Sequence, residues 1–164
     1  MAKSKRLSAN MEDYLETIYH IVSEKKAARA KDIAVRMAVN SASVTGALRL
    51  LAEKGHINYA PYDVITLTPG GETLARDIVR RHEILKDFFT KVLDVDDQVA
   101  EDNACRMEHA VSPLIIDRLV RFVEFVQVCP RGGEEWISGF RQFCVKTDAV
   151  SGCENAISKC LDDL

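Results

Sequence analysis

The stretch from residue 30 to residue 67 constrains the fold of this chain most strongly. It opens with the short amphipathic run AKDIAVRM, breaks at AVN and continues as SASVTGALRLLAEKG, which has apolar residues at helical spacing and ends at Gly55. The segment HINYAPYDVITLT follows, and its two β-rich runs, around 57–60 and 64–67, flank a turn that contains proline. Two helices, a tight turn and a hairpin in this order predict a winged helix-turn-helix.

Apolar periodicity predicts helices in most of the remaining chain. A first helix is expected to begin at Ser8, and further helices at about 69–93, 97–111 and 113–127. The protein is therefore predicted to be mainly α, with the small β-hairpin as the wing. The segment 113–127, PLIIDRLVRFVEFVQ, is apolar over much of its circumference. A second, symmetric copy of the chain is the simplest surface to cover it.

The second helix of the motif begins with small polar residues that can approach phosphates and base edges closely. They are Asn40, Ser41, Ser43 and Thr45. Arg49, one turn further on, can reach the DNA backbone or a guanine. Residues 1–70 are mildly basic and residues 71–164 are acidic, which suits a polyanion-binding module at the N-terminal end. The alternative is a pair of antiparallel helices whose Ser and Thr side chains merely cap the helices. The β-hairpin that follows directly favours DNA binding instead.

The run ACRMEH, residues 104–109, combines a thiol, a carboxylate and an imidazole. On a helix, Cys105, Glu108 and His109 stand at i, i+3 and i+4 and share one face. Further donor side chains are available on other predicted helices, namely Asp13, Glu16 and His82. Carboxylates and imidazoles with one sulfur are ligands suited to Fe(II), Mn(II) or Co(II), and Zn(II) also binds them.

Three other interpretations of these residues remain open at this point. The histidines could be hydrogen-bonded core residues, and the acids could be solvated charges at the start of a helix. A Cys–His pair could also be a nucleophile and its base. However, no oxyanion-type glycine loop or phosphate cradle accompanies the pair, and no cleft-lining loop supports a metallohydrolase. We therefore do not expect an enzyme.

Five runs resemble, in order over about residues 8–126, the metal-dependent repressors of the diphtheria toxin repressor and manganese transport regulator type. They are MEDYLETIY, KDIAVRMAVNSASVTGALRLLAEKG, YAPYDVITLTPGGETLA, RRHEIL and ACRMEHAVS. The resemblance implies a winged helix domain at 1–70, a helical metal-binding and dimerisation domain at 71–126, and a homodimer that binds operator DNA when Fe(II) or Mn(II) is bound. By position it implies the metal ligands Asp13, Glu16, His82, Cys105, Glu108 and His109.

The chain combines ligand patterns of the two branches of that family. Position 13 is Asp, as in the manganese type, where the iron type has Met, whereas Cys105 follows the iron type, where manganese regulators have Glu. A thiolate favours Fe(II) over Mn(II), so we expect Fe(II) as co-repressor and control of iron homeostasis genes, with manganese-responsive regulation as the alternative. The second metal site of the iron type is expected to be absent, because its ligand positions hold Lys86 and Glu101. Its SH3-like third domain is not expected either, because too few residues follow 126.

Residues 127–164 are predicted to form a Cys-rich helical extension. Its cysteines are Cys129, Cys144, Cys153 and Cys160. They could bind Zn(II) or an iron–sulfur cluster, which would make the chain a redox-sensing regulator, or they could be buried and inert. No run of about 18 apolar residues and no signal peptide is recognisable. A cytoplasmic protein without a membrane partner is therefore expected.

Overall fold

The structure, a computed structural model, describes residues 7–60, 64–128 and 134–146. The helices and strands of these ranges follow one another as α1 (Ala9–Lys25), α2 (Ala30–Arg36), α3 (Ser41–Glu53), β1 (Ile57–Asn58), β2 (Thr66–Leu67), α4 (Pro69–Lys91), α5 (Asp97–Met107), α6 (Pro113–Val128) and α7 (Glu134–Lys146). This order confirms the mainly α fold with an N-terminal winged helix-turn-helix. None of the described helices is long and apolar enough to cross a membrane.

The hairpin that forms the wing is shorter than the sequence predicts. β1 and β2 pair antiparallel, with Ile57 opposite Leu67 and Asn58 opposite Thr66. A single bridge between Ala28 and Ile65 connects the hairpin to the segment between α1 and α2. The predicted strands 57–60 and 64–67 thus keep only their paired ends, and residues 61–63 lie outside the described ranges.

Branched aliphatic side chains from α1, α2, α3, the hairpin and α4 form one core. The largest that are fully buried are Leu15, Ile18, Ile21, Ile33, Leu48, Leu51, Ile65 and Ile78. Because each helix contributes residues three or four positions apart, its apolar stripe faces the same interior and its polar side faces solvent. This packing holds α1 and α3 against each other, which matters below because α1 carries acidic site residues and α3 is the predicted recognition helix.

Local hydrogen bonds set the ends of the helices in this motif. Asn40 caps α3, because its side chain accepts a hydrogen bond from the backbone N–H of Ser43 at 2.8 Å. Gly55 follows α3 with a φ of 76°, a left-handed conformation that favours glycine. Gly71 is required for a different reason: a Cβ built there would lie 1.8 Å from the carbonyl oxygen of His56. The start of α4 can therefore approach β1 only if position 71 has no side chain.

Helix α5 ends earlier than the sequence predicts, and this changes the setting of the ACRMEH motif. The predicted helix 97–111 stops at Met107, so Glu108 and His109 lie in the turn that follows it. A tighter turn follows Met107, whose carbonyl oxygen accepts a hydrogen bond from the backbone N–H of Ala110 at 2.9 Å, and α6 then begins with Pro113 in its first position. The i, i+3, i+4 argument for a shared helical face therefore does not apply to these residues.

The chain divides into two compact units. Unit 1 comprises the described residues up to Glu83 together with Cys105–Ala110, and unit 2 comprises Ile84–Ala104 and the described residues from Val111 onward. Unit 2 has its own small core, in which Leu85, Ala104 and Ile116 are buried. Several large apolar side chains of α6 are exposed instead, namely Leu114, Ile115, Phe122, Phe125 and Val128.

Candidate metal centre

Three acidic residues lie on the first two turns of α1. Asp13 and Glu16 are half-buried, whereas Glu12 is only 3% exposed. Glu12 lies next to Met11 and three residues before Leu15, both of which are in the core. Its carboxylate therefore points to the interior side of the helix, where a charge needs a partner.

The turn after α5 supplies Glu108 and His109. Glu108 is fully buried, and its Oε2 lies 2.8 Å from Nδ1 of His82 on α4. Its other oxygen, Oε1, has no hydrogen-bond partner among the described residues and lies 3.2 Å from Nε2 of His109. A buried carboxylate oxygen without a donor is costly, so this atom indicates a missing cation or proton.

Two groups of donor atoms meet in this region, and both include Glu108. The first consists of Asp13, Glu108 and His109, and the second of Glu16, His82 and Glu108, with the donor atoms of each group within 4.8 Å of one another. All five residues belong to unit 1. They come from α1, α4 and the turn after α5, so three segments that are distant in sequence converge on one carboxylate.

Two side chains of this region, Glu16 and His109, have raised pKa values. Burial, together with the negative charge of Glu108, raises the pKa of Glu16 to about 7. Burial alone would lower the pKa of His109, but a hydrogen bond to Glu12 and the charges of Glu108 and Asp13 outweigh it, so the pKa is raised. In the metal-free protein, protons thus offset part of the negative charge.

These donor sets fit a divalent metal ion. They contain carboxylate oxygens and imidazole nitrogens, which suit Mn(II), Fe(II) and related first-row ions. The unpartnered Oε1 of Glu108 lies among them, and a cation next to it would offset the cost of burying the carboxylate. Five of the six predicted ligands thus lie in these two groups, which do not include Cys105, and metal binding itself stays a prediction.

The remaining predicted ligands are placed differently. Cys105 lies on α5, is exposed and belongs to neither group of donors among the described residues. At the position of the iron-type second site, Nζ of Lys86 lies 2.9 Å from Oε2 of Glu101 and 3.2 Å from Oδ1 of Asp97. In the tail, Cys144 is an exposed free thiol on α7. The other tail cysteines, Cys129, Cys153 and Cys160, lie outside the described residues.

Sequence reasoning missed two residues that belong to the site. Glu12 Oε2 lies 2.8 Å from Nδ1 of His109 and 3.2 Å from Nη2 of Arg81, and both Glu12 and Arg81 are buried. A signal for Glu12 was present, because its spacing to Leu15 and Tyr19 places it within the apolar stripe of α1. Nothing comparable marks Arg81, which precedes His82 in a run of charged residues.

The predicted DNA-contacting residues lie along one stretch of α3 and its N-terminal cap. Asn40, Ser41, Ser43 and Arg49 are exposed, and Thr45 is half-buried. Two of these side chains are engaged by the helix itself: Asn40 forms the cap described above, and the hydroxyl of Thr45 donates to the carbonyl oxygen of Ser41 at 2.9 Å. Contact with bases by Ser41, Ser43 and Arg49 remains a prediction.

Comparison with known proteins places both halves of the chain in one family. Residues 6–65 match the family described as "Iron dependent repressor, N-terminal DNA binding domain", and residues 68–137 match "Iron dependent repressor, metal binding and dimerisation domain". The HTH-type transcriptional regulator MntR of Bacillus pumilus is 36% identical over 118 residues, which is 72% of this chain and 81% of that protein. An HTH-type transcriptional regulator of Methanocaldococcus jannaschii is 35% identical over 72% of this chain and 95% of that protein.

Solved structures of similar fold include two manganese regulators. The manganese regulator SloR matches with a TM-score of 0.64 and 27% identity, over 76% of this chain and 58% of that one. A manganese-dependent transcriptional repressor in complex with manganese matches with a TM-score of 0.63 and 29% identity, over 71% of this chain and 54% of that one. The chain thus spans a little over half the length of these two structures.

Proposed function

Because this chain belongs to the diphtheria toxin repressor and manganese transport regulator family of metal-dependent DNA-binding repressors, we propose that Mn(II) is its physiological co-repressor. The observation that carries the proposal is the composition of the two donor groups around Glu108, which contain oxygen and nitrogen but no sulfur. We place the ligands at Asp13, Glu16, His82, Glu108 and His109. Because both groups include Glu108, its carboxylate would contribute a ligand whether one metal ion or two are bound.

This proposal replaces the sequence-based preference for iron. That preference depended on the Cys105 thiolate, and without it the donors are hard oxygens and imidazoles, which suit Mn(II). Two similar structures support the same metal, since one is the manganese regulator SloR and the other is a manganese-dependent transcriptional repressor in complex with manganese. Fe(II) is the second candidate, because Cys105 stands only three residues before Glu108 and Fe(II) usually binds a given site more tightly than Mn(II).

The residues of the site act by joining three segments of unit 1. Asp13 and Glu16 belong to α1, His82 to α4, and Glu108 and His109 to the turn after α5. A bound divalent ion supplies positive charge that offsets the repulsion among the three carboxylates. The carboxylates and imidazoles then hold α1 in one position, and α1 in turn supports α3 through their shared core. Without the ion the carboxylates repel one another, so metal binding would favour the DNA-competent arrangement by differential affinity.

We further propose that a homodimer binds a two-fold symmetric operator in the cytoplasm and represses genes that govern the supply of the metal. The N-terminal domain, up to about residue 70, would read DNA through α3, and residues 71–126 would bind metal and dimerise. The exposed apolar side chains of α6, among them Leu114 and Phe125, supply a surface for a second copy.

One titration tests the metal assignment. Operator binding by the apo protein should be measured under anaerobic conditions with Mn(II), Fe(II) and Zn(II) added separately, using DNA obtained by selection from random sequence. For each metal, the free concentration that activates DNA binding is compared with the free concentration available to the protein, and we expect this ratio to be lowest for Mn(II). We expect Cys105→Ser to leave Mn(II) activation unchanged. Loss of activation in Cys105→Ser would make Cys105 a ligand and favour Fe(II). Selection that yields no sequence-specific DNA with any of the metals would refute the repressor itself.

A further inference from the structure

The last described helix, α7, lies largely beyond the part of the chain that matches the family. The match to the metal-binding and dimerisation domain ends at residue 137, whereas α7 runs from Glu134 to Lys146. Ile137, Phe140 and Arg141 are half-buried on this helix. Because they are three or four positions apart, α7 turns one side toward other parts of the protein.

Arg141 contacts the C-terminal end of α4 at two points. Its Nη2 donates a hydrogen bond to the carbonyl oxygen of Lys91, the last residue of α4, at 3.0 Å. Its Nε lies 3.2 Å from Oδ1 of Asp94, just beyond the helix. The last four carbonyl groups of a helix have no partner within the helix, and a cation beside them is stabilising. Arg141 thus supplies both a donor and a positive charge at the end of α4.

The backbone at Asp94 gives a second, independent indication that this contact matters. Asp94 has a φ of 57°, in the left-handed region that favours glycine. It lies in the turn that ends α4, where the backbone N–H of Val95 donates to the carbonyl oxygen of Phe89 at 3.0 Å. Glycine would fit this turn with less strain, but it would offer no carboxylate to Arg141. The contact with α7 is therefore a physical reason for an aspartate at position 94.

Helix α6 contacts α4 as well, and it leads to α7. Ile116 of α6 and Leu85 of α4 belong to the same buried cluster, and the rings of Phe122 and Phe88 are in edge-to-face contact with centroids 6.3 Å apart. Only residues 129–133 separate the end of α6 from α7, and all these contacts lie within unit 2. Because α7 follows α6 closely and is attached to α4, its attachment restrains the end of α6.

We propose that α7 is a brace for unit 2: Arg141 binds the C-terminal end of α4 and thereby restrains α6, whose exposed apolar side chains supply the surface for a second copy. This role gives the segment after residue 126 a function that requires neither a metal ion nor a cluster at the tail cysteines. The attachment of α7 is a property of the single chain, so it can be measured whether or not the chain dimerises or binds metal. Only its effect on association rests on the homodimer proposed above.

Amide hydrogen exchange of the full-length chain tests the attachment. Arg141→Met removes the guanidinium and should speed exchange in residues 134–146 and 92–95 by about three- to tenfold, as expected for the loss of a partly exposed charged contact. Exchange in the core of unit 1 should not change. Arg121→Met is the matched control, because Arg121 is an exposed arginine of unit 2 that pairs with Asp117 of its own helix at 2.9 Å. It should leave exchange in residues 134–146 as in wild type.

A second substitution on the other side of the contact separates the brace from a general loss of stability. Asp94→Asn removes the charge and keeps a residue that tolerates the left-handed conformation, so it should also speed exchange in α7. Combined with Arg141→Met it should add little, because both changes remove the same contact. Exchange in residues 134–146 that is equal in Arg141→Met and wild type overturns the brace, and so does acceleration throughout unit 1.

Sedimentation of the same variants tests the effect on association. A dimer that dissociates more readily in Arg141→Met than in Arg121→Met supports the restraint of α6, whereas an unchanged dimer with faster exchange in α7 overturns it. Wild-type protein that is monomeric while exchange responds as expected refutes the homodimer and leaves the attachment of α7 supported.

Discussion

At the scale of single residues, a substitution at Glu108 should affect metal binding and folding stability differently. It is fully buried, it belongs to both donor groups, and its Oε1 has no hydrogen-bond partner among the described residues. Glu108→Gln should therefore lower Mn(II) affinity by more than about 100-fold, since even outer partners of ligands are worth 10–100-fold. The same change removes a buried negative charge, so the Tm of the apo protein should stay the same or rise.

Thermal unfolding with and without Mn(II) measures both effects in one experiment. Wild-type protein should gain Tm on addition of the metal, because the ion binds only the folded state, whereas Glu108→Gln should not. Glu53→Gln, on the exposed C-terminal end of α3, is the matched control and should behave as wild type. A metal-induced rise of Tm in Glu108→Gln equal to that of wild type would remove Glu108 from the ligand set.

The raised pKa values predict that protons compete with the metal. Glu16, with a pKa of about 7, and His109, with a raised pKa, both have to lose a proton before they can act as ligands. Apparent Mn(II) affinity should therefore fall as the pH falls through 7. We expect a decrease of at least about tenfold between about pH 8 and about pH 6, and isothermal titration in buffers of different ionisation enthalpy should detect proton release. Affinity that is flat across this range would contradict the role of Glu16 as a ligand.

At the scale of secondary-structure elements, α3 should determine DNA affinity without affecting the metal. Arg49 is exposed on this helix. Arg49→Ala should weaken operator binding by about 1–3 kcal/mol if the guanidinium contacts a base, or weaken all sequences alike if it contacts only phosphate. Mn(II) affinity should not change. Arg118→Ala, which removes an exposed arginine from α6, is the control, and an equal loss of DNA binding in both variants would argue against α3 as the reader.

Two glycines, Gly71 at the start of α4 and Gly46 within α3, have opposite expected effects on stability. A Cβ at Gly71 would lie 1.8 Å from the carbonyl oxygen of His56, whereas a Cβ at Gly46 meets nothing within 4 Å. Gly71→Ala should force β1 and α4 apart and destabilise the protein by about 1–3 kcal/mol. Gly46→Ala, within α3, should stabilise it by up to about 1 kcal/mol through helix propensity. Chemical denaturation measures both, and similar values for the two variants would show that β1 does not restrict position 71.

At the scale of the whole molecule, the exposed side of α6 should control association. Phe125 is 62% exposed on this helix. If a second copy covers it, Phe125→Glu should place a charge in the interface and convert the dimer to a monomer, with weaker binding to a two-fold operator and unchanged Mn(II) affinity. Val35, at 82% the most exposed large apolar side chain among the described residues, lies on α2.

Val35→Glu is thus the matched control for association, and sedimentation should report an unchanged dimer. A dimeric Phe125→Glu variant would move the interface away from this side of α6. A monomeric Val35→Glu variant would place it on α2.

The sequence by itself determined the features that depend on short-range interactions. Apolar periodicity and turn residues specify where α1, α2, α3 and α4 begin, and the β-rich runs around a proline specify the hairpin. The same local patterns, together with the family resemblance, identified five donor side chains that the structure brings together, namely Asp13, Glu16, His82, Glu108 and His109.

Only the tertiary structure decided which other side chains complete the site. Glu12 and His109 are 97 positions apart, and Glu12 and Arg81 are 69 apart. Their contacts depend on how the segments pack, and periodicity carries no information on that. The end of α5 at Met107 likewise separates Glu108 and His109 from the helix that carries Cys105. Burial then decides the electrostatics of these side chains. A carboxylate on an isolated helix would be solvated, and it acquires a shifted pKa or requires a partner only when packing removes its water.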